Sequence, residues 1–253
     1  MNIRDLVILV SGGASGLGLE SAIHFQGLGA KVVIMDLNQG EVERQASGHN
    51  FLGITADITK EDWVINGLKK IRQELGGIQA LVHCAGIVQG EKIISKKGLM
   101  PLENFSKVIE VNLIGTFNML RLAAQEMVNF EPNEEGERGV LILTSSIAAF
   151  EGQIGQSAYA ASKGGVASLI LPAARELSSF GIRVNGIAPG LFHTPLLSGL
   201  KDEAIQGLSE NIPFPKRLGK PQEFAKLAQH IIENPYINGE IIRIDGGLRM
   251  QAR

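Results

Sequence analysis

Tyr159-Ala-Ala-Ser-Lys163 places a phenol and an ammonium four residues apart, a spacing that puts both on one face of a helix. A free tyrosine, with a pKa near ~10, is a poor base at neutral pH. A neighbouring cation favours the phenolate and lowers that pKa toward the working range, so Lys163 is expected to prepare Tyr159 for proton transfer. Ser146 ends the apolar run Gly139-Val-Leu-Ile-Leu-Thr-Ser-Ser146, which reads as a buried strand. A hydroxyl at that strand end can hold a substrate oxygen opposite the tyrosine. Three such residues alone are common on ordinary helices, and the amino terminus supplies the rest of the argument.

Leu6-Val-Ile-Leu-Val10 is a short continuous apolar run, as in a strand covered on both faces. It breaks into Ser11-Gly12-Gly13-Ala14-Ser15-Gly16-Leu17-Gly18, followed by a helical pattern with Leu19, Ile23 and Phe25. Strand, glycine turn and helix together present a helix N-terminus to a phosphate. The spacing is Gly12-x-x-x-Gly16-x-Gly18 rather than the G-x-G-x-x-G fingerprint of other dinucleotide folds. A second apolar strand, Lys31-Val-Val-Ile-Met35, ends at Asp36, where such folds hold the adenosine ribose hydroxyls. A carboxylate there repels a ribose 2′-phosphate, so the expected cofactor is NAD rather than NADP.

These groups need a frame. Apolar strands are expected at 6–10, 31–35, 51–56, 79–84, 139–145, 182–188 and 240–244, with helical segments between them. That alternation predicts an α/β fold: one doubly wound, seven-stranded parallel sheet with helices on both faces, the Rossmann arrangement, in a single domain spanning 1–253. Thr59, with Asp62 three residues on, predicts a capped helix start, and Gly76-Gly77 its end. Val64, Leu68, Ile71 and Leu75 would face the core from it. Pro221 opens a further helix with Phe224, Leu227, Ala228 and Ile231 inward. Glu131 to Arg138 reads as a solvated loop. The irregular stretch 191–219, with Leu196, Leu197, Leu200, Leu208 and Phe214 around a short helix at 201–208, reads as a lid over a hydrophobic substrate.

A formal net charge of -2 gives no electrostatic case for nucleic acid or a membrane surface. No run reaches the ~18 apolar residues of a membrane span, and Met1-Asn-Ile-Arg-Asp5 lacks a signal-peptide plan. The single cysteine, Cys84, forms no internal disulfide and is expected as a small core residue. A reducing, cytoplasmic location is expected. The five histidines have no metal-ligand spacing, so no metal is expected. His193 is expected at the surface.

Taken together, these motifs resemble the short-chain dehydrogenase/reductase family over nearly the whole chain. That family's glycine turn, T/S-G-x-x-x-G-x-G, is matched by Ser11 to Gly18, and its N-x-A-G strand end by His83-Cys84-Ala85-Gly86. The resemblance implies a catalytic set of Asn112, Ser146, Tyr159 and Lys163, with Asn112 linking Lys163 to solvent through water. It implies cofactor contacts from Ser11, Gly12, Ser15, Gly16, Leu17, Gly18, Asp36, Asp57, Ile58, Cys84, Ala85, Gly86, Tyr159 and Lys163. Pro189, Gly190, Leu191 and Thr194 would receive the nicotinamide. The cofactor half would run to about residue 145 and the catalytic half from 146. The chain departs from the pattern at position 83, where histidine stands in place of asparagine, in an expected structural role.

Gly136 to Gly139, Ile147 to Gln153, Pro213 to Gly219, His230 to Gly239 and the insertion Gln89 to Pro101 are similar to the branch that handles 3-hydroxyacyl thioesters of coenzyme A. The implied substrate is an acyl-CoA or another hydrophobic secondary alcohol. Steroid dehydrogenases and 3-oxoacyl-carrier-protein reductases stay open on the same machinery. The family also implies a homotetramer, with helices near 103–128 and 158–179 pairing between subunits. Lys92, Lys96, Lys97 and Lys216 are the basic residues nearest the expected mouth.

Overall fold

A computed structural model describes residues 1–195 and 207–252. Seven strands form one parallel sheet: β1 (Val7–Ser11), β2 (Lys31–Asp36), β3 (Leu52–Thr55), β4 (Ala80–His83), β7 (Gly139–Thr144), β8 (Ile182–Pro189) and β9 (Ile241–Ile244). Their order is β3-β2-β1-β4-β7-β8-β9. The chain therefore reverses its direction of travel between β1 and β4, and ligands bind at such a reversal, beyond the strand C-termini. The insertion at 89–101 contributes a separate two-stranded hairpin, β5 (Ile94–Ser95) and β6 (Gly98–Leu99).

Alternation along the strands sends successive side chains to opposite faces. Val7 and Leu9 of β1 enter one core with Val64, Leu68 and Ile71 of α3 (Glu61–Leu75), Met119 and Met127 of α5 (Gly115–Met127), and Val166 and Ile170 of α6 (Ser157–Leu177). Ile8 and Val10 enter the other, with Ala22 and Phe25 of α1 (Gly16–Gly27) and Phe224, Ala228 and Ile231 of α7 (Pro221–Glu233). α2 (Gln39–His49) lies between β2 and β3 in the chain. Among the described residues no helix is long and apolar enough to cross a membrane.

Three expectations change, and a fourth lies mostly outside the described residues. The N-cap of α3 is Lys60, not Thr59, because the Thr59 hydroxyl donates instead to Asp57 at 2.7 Å. The helix expected over 103–128 is α4 (Leu102–Ile109) and α5 joined by a π-turn, Glu110–Ile114, in which the Gly115 N–H reaches the Glu110 carbonyl five residues back. Glu137, expected in a solvated loop, is buried and accepts from Arg183 Nε at 2.6 Å and from the Met1 ammonium at 3.1 Å. Most of the expected 201–208 helix, with Leu196, Leu197 and Leu200, lies outside the described residues, and residues 207–210 are helical.

Arg183 also donates to the carbonyls of Ile231, Ile232 and Ile237, tying β8 to the end of α7. Arg183→Met should leave Glu137 with the Met1 ammonium as its remaining charged partner and three carbonyls without this donor, and cost about 3–5 kcal/mol. At about 2–4 °C per kcal/mol for a chain of this size, that is a fall of about 6–20 °C in Tm, readable by calorimetry. An unchanged Tm would show that the ion pair does not anchor the strand.

Candidate active site

The glycine turn joins β1 to α1. Gly12 has φ +66, and a Cβ on it would come within 2.6 Å of the Ala85 backbone nitrogen, so the turn lies directly against the end of β4. A Cβ on Gly18 would overlap the Gly12 carbonyl oxygen, which fixes α1 close against the turn. Gly16 differs: its φ is +56, yet the nearest atoms to a Cβ there belong to Thr194 and Pro195 at 3.8 Å. That opening lies at the N-terminus of α1, whose N-cap Ser15 makes no side-chain capping bond and whose first turn has no acidic residue. The first N–H groups of the helix, around Leu17 and Gly18, have no intrahelical partner. An uncapped helix start facing an open cradle fits a pyrophosphate.

Two carboxylates flank the turn. Asp36 at the end of β2 accepts the Ala14 N–H at 3.3 Å and the Asn38 N–H at 3.3 Å, which brings its negative charge to the rim of the cradle. Asp57 follows β3. Burial pushes its carboxyl up, but two hydrogen bonds from Thr59 and the charges of Lys60 and Lys107 outweigh this and hold it below the ordinary value. The Ile58 side chain is buried and meets Gly115, and its carbonyl accepts from Asn118 at 2.8 Å.

At the end of β4, a Cβ on Gly86 would lie 3.1 Å from Asn112 Oδ1 and 3.5 Å from Lys163 Nζ, so glycine here lets both polar groups approach. Asn112 sits in the π-turn. It accepts the Ile87 N–H at 2.8 Å and donates to the Ile87 carbonyl at 2.9 Å and to Ser162 Oγ at 3.1 Å. Burial pushes the Cys84 thiol up to about 11, so it is a neutral group flooring the cleft. Ser11 is fully buried; its Oγ lies 2.5 Å from His83 Nδ1 and so faces inward, away from the cradle. His83 Nε2 lies 2.9 Å from Thr116 Oγ1. The histidine thus makes two side-chain hydrogen bonds.

Tyr159 and Lys163 occupy one face of α6, with Lys163 Nζ 5.9 Å from the centre of the tyrosine ring. Ser146, just past β7, presents a hydroxyl that accepts the Ala148 N–H at 3.1 Å. One expectation reverses here. Burial raises the Tyr159 pKa above its ordinary value, and the hydrogen bond with Ser146 offsets this only in part. Lys163 does not depress it, because its ammonium donates to the Thr144 carbonyl at 2.8 Å. Burial in turn pushes Lys163 down to about 8. The site at rest holds a neutral phenol beside a cation that is easily deprotonated.

On the far side of the cleft, β8 ends at Pro189. A Cβ on Gly190 would come within 2.7 Å of Asp245 Cβ. Leu191 accepts the Gly219 N–H at 2.8 Å, and Gly219 accepts the His193 N–H at 2.9 Å, which aligns Thr194 opposite Gly16. His193 is exposed. The hairpin of the insertion is pinned beside the approach to Tyr159 by Glu91 N–H to Gly155 O at 2.7 Å; Lys92, Lys96 and Lys97 on it are exposed. The polar residues that sequence reasoning missed are Thr144, Ser162 and Thr116. Each is small; Ser162 adjoins Lys163, Thr116 follows Asn112 by a helical turn and Thr144 stands two residues before Ser146, which was the available signal.

The model of the short chain dehydrogenase family matches residues 6–204. The 3-hydroxyacyl-CoA dehydrogenase type-2 of Homo sapiens is 49% identical over 254 residues, covering 99% of this chain and 97% of the human protein. That of Drosophila melanogaster is 46% identical, covering 98% and 99%. The crystal structure of 3-hydroxyacyl-CoA dehydrogenase type-2 from Mycobacterium avium superposes with a TM-score of 0.92 at 42% identity, covering 98% of this chain and 97% of that one.

Proposed function

The chain belongs to the short-chain dehydrogenase family and is an oxidoreductase; from that premise we propose that it interconverts 3-hydroxyacyl-CoA and 3-oxoacyl-CoA with NAD. The observation that carries the reading is the gathering of Asn112, Ser146, Tyr159 and Lys163 beside the open cradle at Gly16. The Gly12–Gly18 turn and the first N–H groups of α1 would hold the pyrophosphate, and Asp36 the adenosine ribose hydroxyls. Asp57 and the Ile58 N–H would face the adenine. Cys84, Ala85 and Gly86 would floor the nicotinamide half, with Pro189, Gly190, Leu191 and Thr194 opposite. Lys163 and Tyr159 would reach the second ribose. The cofactor, when bound, accepts or donates the hydride.

The chain's own groups manage the proton. Ser146 hydrogen-bonds the substrate oxygen and fixes its distance from the phenol. Tyr159, kept neutral by burial, gives its proton to the carbonyl oxygen in reduction and takes the hydroxyl proton in oxidation. Lys163, held by the Thr144 carbonyl, keeps a positive charge beside the tyrosine ring and would position the second ribose of the cofactor against the substrate. Asn112 braces Ile87 and Ser162 around Lys163.

With Lys163 near 8, kcat/KM for ketone reduction should be level below that value, where the ammonium is charged. It should fall above it, as the lysine loses its proton. A steady-state pH series checks this, and a profile that stays level well past 8 would remove Lys163 from its role.

Half-exposed Phe117 on α5 and Leu171 on α6 support the pairing of these helices in a homotetramer. The lone cysteine fits a reducing, cytoplasmic setting. The substrate is tested by loss of NADH absorbance with acetoacetyl-CoA, run beside NADPH. Loss with NADH alone is expected. Turnover only with steroids or simple ketones would replace the acyl-CoA assignment, and turnover only with NADPH would point to the carrier-protein reductases.

A further inference from the structure

Ser11 and His83 are register partners on the paired strands β1 and β4, so their side chains share a face. Beyond His83 lies Thr116, whose hydroxyl donates to the Asn112 carbonyl at 2.5 Å. That bond uses the only proton on Thr116 Oγ1, so at 2.9 Å from His83 Nε2 the hydroxyl oxygen acts as acceptor and Nε2 carries the ring proton. His83 Nδ1 is then the acceptor, and the Ser11 hydroxyl at 2.5 Å is its donor. Every group has its partner and the direction of every bond is fixed. Ser11, His83, Thr116 and Asn112 are at most 1% exposed, so no water competes for these bonds.

We propose that His83 is a positioning residue, held as the Nε2–H tautomer, that ties the glycine turn through Thr116 to the backbone of Asn112 in the π-turn. The relay joins the floor of the cofactor cradle to the asparagine that braces Ile87 and Ser162 beside Lys163. An asparagine carries donor and acceptor on atoms no further out than Nδ1, whereas the imidazole reaches one bond further through Nε2. An asparagine at position 83 would therefore fall short of Thr116 from this backbone. Burial and the Lys163 charge push the His83 pKa down to about 3, in keeping with a ring that stays neutral throughout the working range. The proposal rests on the reading that Asn112 serves the catalytic site.

Thr116→Val removes the hydroxyl with little change of shape, and Thr116→Ser keeps it. Thr116→Val is expected to lower kcat about tenfold through loss of positioning, with KM for NADH within about twofold of the parent. Thr116→Ser should recover most of the rate. Thermal denaturation of each variant separates positioning from stability. A Thr116→Val enzyme of lower Tm but unchanged kcat would reduce the relay to a structural role and overturn the proposal. Should that variant fail to fold, the parent decides. In long-range ¹⁵N–¹H spectra, with the His83 resonance assigned by its loss in His83→Asn, an Nε2–H tautomer supports the relay and an Nδ1–H tautomer overturns it. Absence of NADH turnover in the parent would instead count against the proposed activity and leave the tautomer result standing.

Discussion

Tyr159→Phe should lower turnover about 10²- to 10⁴-fold in both directions, the range lost when a positioned acid–base group is removed. The change deletes one hydroxyl and leaves the ring that packs beside Lys163, so NADH affinity by fluorescence titration should stay within about twofold. The burial that raises the phenol pKa gives the loss a direction. At neutral pH the parent holds a proton ready for a carbonyl, so reduction suffers from a missing donor. Oxidation is expected to show its deficit most fully at high pH, where the parent gains phenolate and the variant has none to gain. Retained turnover with intact NADH binding would mean that another group moves the proton.

Asp36→Asn is the second change with a large expected effect, and it acts at the opposite end of the cleft. The amide oxygen can still accept the Ala14 N–H that Asp36 receives, so the turn should keep its shape while the charge is lost. Hydrogen bonds from ribose hydroxyls to a carboxylate are worth about 1.5–3 kcal/mol, so kcat/KM with NADH should fall about 10- to 100-fold. The repulsion of a 2′-phosphate disappears at the same time, and kcat/KM with NADPH should rise. Paired assays with the two cofactors read both effects. If the ratio of the two did not move, Asp36 would not be the residue that selects the cofactor.

The sheet was legible because its central strands β1, β4 and β7 are continuous apolar runs buried on both faces, a pattern that helices on the surface cannot mimic. All seven expected strands form within a residue or two of their expected ends. The glycine turn was legible for a similar reason: Gly12 and Gly18 are required by contacts with Ala85 and the turn itself, so the spacing carries the geometry. The π-turn at Glu110–Ile114 left no trace, since one extra residue per turn barely alters a helical apolar pattern. Glu137 was hidden among charged loop residues because its partner, Arg183, lies on a distant strand.

The Tyr159–Lys163 spacing gave the shared face correctly but not the electrostatics. Whether Lys163 turns toward the phenol or toward the Thr144 carbonyl depends on the strand beneath, which spacing along a helix cannot report. His83 was visible as a departure from the family pattern. Its two partners were not, because Ser11 and Thr116 meet it only through strand pairing and the start of α5. Thr116, Ser162 and Thr144 are small hydroxyl residues of a kind found everywhere in a chain, and only the fold distinguishes them.

The central claim is that a proton group and a hydride meet on one substrate carbon–oxygen bond above this cleft. Its most direct test is to offer acetoacetyl-CoA with NADH carrying deuterium at one face of nicotinamide C4, then at the other, and to weigh the product. The account predicts a 3-hydroxybutyryl-CoA one mass unit heavier with one label and unlabelled with its epimer. Product that is unlabelled with both, or labelled only through exchange with solvent deuterium, would contradict it.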